Sequence, residues 1–301
     1  MPQGQARASG AVSGAVSAGR QIRPAGTPTV PGMATASASA STPTKLSGQR
    51  VVVTGASSGI GAALARELAG RGAEVVLVAR TRTALEALSA ELPGSSVVVG
   101  DLATAAGCAA AAGEILAGGV PEVVVHNAGA GRWLAVDETP EGEAATMMAV
   151  PYLAAFELTR ALTPAMIARR RGRHVYMTSV SAFLHVPGAA GYSAARWAVR
   201  GLAGQVRADL RGTGVGVTLL APAEVDSPYF DHNPGTRERI PRATVLMGGR
   251  ASTTTIARLG ADAVEAGRRT AILPRQAALV VRTTPPPVLS WLAARTGWRH
   301  P

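Results

Sequence analysis

From Arg50 onward, short apolar runs alternate with longer stretches in which apolar residues return at helical spacing. The runs are RVVVTG (50–55), AEVVLVAR (73–80), SSVVVGDL (95–102), PEVVVHNAG (121–129), GRHVYMTSV (172–180) and VGVTLLAPAEV (215–225), and RTAILP (269–274) supplies a seventh. Valine-rich runs without polar alternation predict strands buried on both faces. Between them, IGAALARELAGRG (60–72), TALEALSAEL (83–92), an alanine-rich segment before Pro121 and SAARWAVRGLAGQVRADLRG (193–212) predict helices. Strand, helix, strand in repetition predicts a parallel sheet with helices on both faces, a doubly wound α/β domain spanning 46–301. No internal repeat of solenoid length interrupts it.

Residues 1–45 differ. They hold Ala, Gly, Ser, Thr and Pro with Arg7, Arg20, Arg23 and Lys45 and no acid. Such a stretch buries too little to offset chain entropy, and it predicts a disordered low-complexity tail. An acid-free, Arg- and Ser-bearing start also has the composition of a transit peptide. The preferred expectation is a flexible tail, with Met33 as a plausible true start.

Composition narrows the function. Hydrophobic residues make up 47% of the 301 residues, enough for a substantial core. No apolar run approaches the roughly 18 residues of a membrane span. The single cysteine, Cys108, excludes an intramolecular disulfide and fits a reducing cytoplasm, where it is expected as a small buried hydrophobe. Net charge is +11, yet the arginines are scattered and aromatics make up 4%, without a recognition motif for nucleic acid. Lys45 is the only lysine, so the positive charge reads as a compositional bias toward arginine.

The segment TGASSGIG (54–61) lies where the first strand passes to the first helix. Gly55, Gly59 and Gly61 permit a tight turn, a close approach to a ligand and close packing of helix on strand. The free N–H groups at the helix start form a seat for a pyrophosphate. This segment resembles the nucleotide-binding turn of the short-chain dehydrogenase/reductase family. The likeness continues in order through GDL (100–102), NAG (127–129), TSVSA (178–182), YSAARWAVRGL (192–202) and APAEVDS (221–227), with Tyr192 following Ser179 by 13 positions. The resemblance implies a Rossmann-type fold and a dinucleotide held by Gly55, Ser57, Ser58, Gly59, Ile60 and Gly61. Further contacts are implied from Asp101 and Leu102, from Asn127, Ala128 and Gly129, from Tyr192 and Arg196, and from Pro222 and Val225. The second strand ends LVARTR with no acid, so Arg80, with Arg82 beside it, points to the 2′-phosphate of NADP(H) in preference to NAD(H).

In the family a Ser, a Tyr and a Lys, assisted by an Asn, perform carbonyl chemistry. Ser179 and Tyr192 match. The lysine position holds Arg196 and the asparagine position holds Pro151. A cation four residues after a tyrosine in a helix shares its face and favours the phenolate, but arginine is bulkier than lysine and keeps its proton. Pro151 can preserve a helix kink but provides no amide. Two readings follow. One is an NADP(H)-dependent oxidoreductase acting on a small carbonyl or alcohol substrate through Ser179, Tyr192 and Arg196. The other is a degenerate family member that binds NADP(H) as a non-catalytic partner or regulator.

His126, His174, His185, His232 and His300 show no metal-ligand spacing, and no metal is expected. Residues 223–250 occupy the family's variable substrate lid and read as a mobile loop. The C-terminal PPPVLSWLAARTGWRHP (285–301) predicts a short amphipathic helix that packs on a partner subunit or on its own core, with contact to a membrane surface the weaker expectation. The family's habit of pairing through long helices implies a homodimer or homotetramer.

Overall fold

The valine runs form strands where their pattern places them. In the computed structural model, which describes residues 46–129 and 131–298, the chain runs β1 (Arg50–Thr54), α1 (Gly59–Gly70), β2 (Glu74–Ala79), α2 (Arg82–Glu91), β3 (Ser96–Val99), α3 (Ala105–Ala117), β4 (Val123–His126), α4 (Glu143–Met148), α5 (Ala154–Ala168) and β5 (Gly172–Met177). It continues through α6 (Ala190–Asp209), β6 (Val215–Pro222), β7 (Val225–Asp226), α7 (Thr236–Arg239), β8 (Ala251–Ser252), α8 (Thr253–Glu265), β9 (Thr270–Leu273), α9 (Arg275–Thr283) and α10 (Pro286–Thr296). The tail expected over residues 1–45, the start at Met33 and His300 lie outside the described residues.

Seven strands form one parallel sheet in the order β3-β2-β1-β4-β5-β6-β9, so the fold is a doubly wound α/β fold of Rossmann type. The absence of polar alternation has a direct cause: β1, β2, β4, β5, β6 and β9 are buried on both faces, while the edge strand β3 buries only Val98 fully. Val51 and Val53 of β1, with Val75 and Leu77 of β2, enter one core beneath α1 and α8, while Val52, Val76 and Val78 enter the other beneath α3, α5 and α6. Each such side chain contributes about 1.5–3 kcal/mol on burial. A third, smaller core gathers Leu184, Ala221, Met247, Ile272, Ala277, Leu289 and Ala293 under the C-terminal helices. Helix α10 therefore seats on the protein's own body. No helix among the described residues is long and apolar enough to cross a membrane. Cys108 is buried, as expected of it, and burial raises its thiol pKa.

The lid is more ordered than a loop reading implies. Within 223–250 lie β7, α7 and a 3-10 turn at Arg242–Met247, and β7 pairs with β8 to form a second small sheet. Arg239 ion-pairs with Glu138 and stacks its guanidinium 4.6 Å over Trp298, while Arg237 pairs with Asp226.

Between β4, β5 and α5 lies a buried polar cluster. Thr163 Oγ1 donates to the Thr159 carbonyl (2.6 Å), so His174 Nε2–H donates to Thr163 Oγ1 (3.1 Å) and His174 Nδ1 accepts from His126 Nε2–H (3.1 Å). Thr159 Oγ1 donates to the Ala155 carbonyl and accepts from the Tyr176 hydroxyl, both at 2.7 Å. The remaining nitrogen, His126 Nδ1, has no hydrogen-bond partner among the described residues. The accepting Nδ1 requires a neutral His174, and burial favours the neutral form of His126. Burial pushes His174 down to about 4 and His126 well below its usual range, with His174 as a second cause for His126. His126 thus hydrogen-bonds within the core.

The unfolded chain protonates these histidines below about pH 6.5, whereas the folded chain does not until far lower pH. Stability should therefore be constant above that value and fall as pH drops through the window from about 6.5 towards 4, by up to about 1.4 kcal/mol per pH unit for each imidazole. Urea unfolding across that range checks this, and His174→Gln should remove roughly half of the slope. Separately, Leu158→Ala, in the core beneath α5, should cost about 2–5 kcal/mol in the same measurement at neutral pH.

Candidate active site

At the C-terminal ends of the strands, where the strand order reverses between β1 and β4, the described residues enclose a cavity of about 790 Å³. Open parallel sheets bind ligands at such a switch point. The turn is held there by one hydroxyl. Thr54 Oγ1 donates to the Val125 carbonyl (3.2 Å) and accepts from the backbone N–H groups of Asn127 and Ala128, both at 3.0 Å. The Asn127 amide donates to the carbonyls of Thr54 (3.0 Å) and Gly55 (3.4 Å). Gly55 sits at φ +66°, and a Cβ there would lie 2.8 Å from Ala128 Cα. A Cβ on Gly61 would collide with the Gly55 carbonyl. Asn127 thus acts on the turn through its side chain while also lining the cavity.

Ser57, Ser58, Gly59, Ile60 and Gly61 line the cavity at the start of α1, where Ser58 makes no side-chain cap. The first N–H groups of that helix are left for a ligand, and no acid in the first turn opposes an anion. Arg80 lines the cavity after β2. Arg82 does not: it opens α2 and turns to Glu86 at 3.5 Å, so of the two arginines expected at a phosphate only Arg80 is in place. Asp101 and Leu102 line it after β3, and Asp101 Oδ1 also accepts from Ala103 N–H (3.1 Å). Ala128 and Gly129 follow β4, Pro222 ends β6, and Val225 begins β7.

Ser179, Tyr192 and Arg196 reach the same cavity. Ser179 starts a 3-10 turn after β5 and accepts from Ser181 N–H at 3.3 Å. Thr178 donates to the Arg196 carbonyl (2.8 Å), which seats α6 against the end of β5. The Tyr192 ring is flanked by Trp133 (5.7 Å between centroids) and Tyr229 (6.3 Å). Arg196 is only 8% exposed, its Nε has no hydrogen-bond partner among the described residues, and its Cζ lies 4.8 Å from the Tyr192 ring centroid. The guanidinium therefore rests over the ring face as a cation–π pair.

Pro151 is buried within a π-turn, Ala149–Leu153, that joins α4 to α5. The α-helical ladder is interrupted there by the π-turn, in which Pro151 has no N–H to donate. Val150, and not Pro151, lines the cavity.

Tyr229 and Trp133 are the site residues that sequence reading missed. The Tyr229 hydroxyl donates to the Gly131 carbonyl (2.7 Å), and burial, then the neighbouring Tyr192, push its pKa well up, so it remains a donor. The available signal was the adjacent Tyr229–Phe230 pair in a chain with only four tyrosines and three phenylalanines.

A family model described as short chain dehydrogenase matches residues 49–237. The chain belongs to this family. The mouse (Mus musculus) protein named Dehydrogenase/reductase SDR family member 7B is 35% identical over 184 residues, covering 58% of this chain and 57% of that protein, so the chain spans little more than half the length of that relative. A crystal structure of a metagenomic short-chain oxidoreductase in complex with NADP is 33% identical, covering 76% of this chain and 98% of that one, with a TM-score of 0.64. A short chain dehydrogenase/reductase from Burkholderia phymatum in complex with NAD is 26% identical, covering 79% and 93%, with a TM-score of 0.70. The matched span ends within α7, and the 3-10 turn, β8, α8, β9, α9 and α10 lie beyond it.

Thr54→Val keeps the shape of the side chain but leaves the N–H groups of Asn127 and Ala128 without their acceptor. It should cost about 2 kcal/mol or more in urea unfolding, since each stranded donor costs roughly 1–3 kcal/mol.

Proposed function

We propose that the protein is an NADP(H)-dependent oxidoreductase that moves a hydride between nicotinamide and a carbonyl or alcohol substrate. The observation that carries this reading is the convergence of Ser179, Tyr192 and Arg196 on the cavity whose other end is the glycine turn. The residues fit a dinucleotide: Gly55 and Gly61 leave no room for a side chain, the α1 N–H groups are uncapped, and a cation follows β2. In this reading Gly55, Ser57, Ser58, Gly59, Ile60 and Gly61 hold the diphosphate and Arg80 the 2′-phosphate. The adenine lies against Asp101 and Leu102. Asn127, Ala128 and Gly129, with Pro222 and Val225, border the nicotinamide half. Ala79, Arg80 and Thr81 line this part of the cavity without a carboxylate, which favours NADP(H) over NAD(H).

When bound, the dinucleotide supplies the hydride for reduction and accepts it for oxidation. Tyr192 delivers a proton to the substrate oxygen in reduction and takes it back in oxidation. Ser179 donates a hydrogen bond to that oxygen. Arg196 sets a fixed positive charge beside the developing negative charge, where a preorganised cation is most effective.

A second reading, NADP(H) binding without turnover, has its own support. The Arg196 guanidinium covers the Tyr192 ring, and Pro151, aligned with the family's asparagine, has no amide and lies off the cavity. NADPH oxidation over a panel of ketones and aldehydes separates the two. Wild-type turnover supports the enzyme; turnover only in Arg196→Lys with Pro151→Asn supports the second reading. In an active protein, Tyr192→Phe should lower kcat by about a hundredfold or more while NADPH affinity changes little. Arg80→Glu should shift the NADPH/NADH ratio of kcat/KM towards NADH, and an unchanged ratio would remove Arg80 from the phosphate site.

Exposed Phe156 on α5 and Trp197 on α6 favour pairing of two copies through these helices, a homodimer or homotetramer that light scattering measures. A cytoplasmic location fits the lone buried thiol.

A further inference from the structure

Beyond Tyr192 and Ser179 the cavity changes character. Its far end is walled by Leu184 and Val186 after β5, by Leu246 and Met247 of the 3-10 turn, and by Val280, Leu289, Leu292 and Ala293 of the last two helices. Every residue that α9 and α10 contribute is apolar. Of the polar groups on the cavity wall, Glu224 pairs with Arg250 at 2.8 Å, Glu143 faces Arg132 at 3.7 Å and the Tyr229 hydroxyl is held by Gly131, while the buried Ser181 hydroxyl, beside Ser179, has no partner among the described residues. A polyol or a carboxylate laid against the apolar wall would lose water at a cost for each group. The wall coincides with the third hydrophobic core, so these side chains face an opening where a core would otherwise close. Leu246 lines the opening and is itself 57% exposed, which places it at an outlet. All of these elements except the segment after β5 lie beyond the span matched by the family.

We infer that this end is a sleeve for a long unbranched apolar tail, and that the substrates are long-chain aliphatic carbonyls or alcohols whose polar head lies at Tyr192. The inference rests on the oxidoreductase reading for its chemistry but on the sleeve for its specificity. Each methylene that leaves water gains roughly three- to fourfold in kcat/KM until the sleeve is filled.

The test uses the full chain with NADPH and the series butanal, octanal, dodecanal. The expected result is a kcat/KM that rises by at least about a hundredfold from butanal to dodecanal. Leu246→Asp, at an exposed position that does not threaten folding, should cut the dodecanal-to-butanal ratio by at least about tenfold. Ala293→Trp, which fills the sleeve, should do the same, with its melting temperature recorded to exclude unfolding. Turnover that is flat with chain length, or a ratio indifferent to Leu246→Asp, overturns the sleeve and leaves the oxidoreductase reading standing. If no aldehyde is turned over, the oxidoreductase reading fails and the sleeve is judged by binding. Quenching of tryptophan fluorescence by butanol, octanol and dodecanol should then show affinity rising with length in wild type and lost in Leu246→Asp; equal affinities overturn it.

Discussion

The site depends on a single hydroxyl. Thr54 Oγ1 closes three hydrogen bonds across the gap between β1 and β4, the place where the strand order turns back on itself. A valine in this strand would bury as well, but the N–H groups of Asn127 and Ala128 would then lose their acceptor beside the buried Thr54. With the hydroxyl in place, Gly55 is drawn so closely against the Ala128 backbone that no side chain fits at position 55. The α1 N-terminus, the residues after β4 and the end of α6 are arranged around that contact. The geometry of the cavity is therefore set by backbone proximity, and the side chains that face it are hung on that frame.

The interior treats its cationic and potentially cationic groups in two ways. Around His126 and His174 the bond directions follow from the threonines of α5, and burial favours the neutral form of both imidazoles. That arrangement suits a low-dielectric core, where charge is costly. Arg196 also shows little surface but borders the cavity, and its partner among the described residues is an aromatic face, not a carboxylate. A guanidinium so placed at a cavity wall contributes field to the cavity, whereas the histidines contribute only cohesion between helix and sheet.

Much of the architecture was legible because burial on both faces removes polar alternation from a strand. Seven valine- or leucine-bearing runs became seven strands, all but the edge strand β3 buried on both faces. The glycine turn was legible because steric exclusion permits few residues there. The candidate site residues after the strands fell on one cavity because parallel strands end on one edge. Other features could not be read. Arg80 and Arg82 are equivalent in sequence, and only the position at which α2 begins separates the arginine that meets the cavity from the one that pairs with Glu86. His126 and His174 are 48 positions apart, and nothing short of strand pairing reveals that they touch. Tyr229 comes from a lid with no periodicity, so its place above Tyr192 arises from tertiary packing alone.

The third core has a thermodynamic consequence. Leu289 and Ala293 attach α10 to the body through surfaces that also bound the cavity. Local opening of the last two helices and emptying of the cavity are thus two views of one linked equilibrium, in which whatever fills the space adds its own free energy to the closed form. A ligand in that space would thereby stabilise helices that are remote in sequence from the glycine turn.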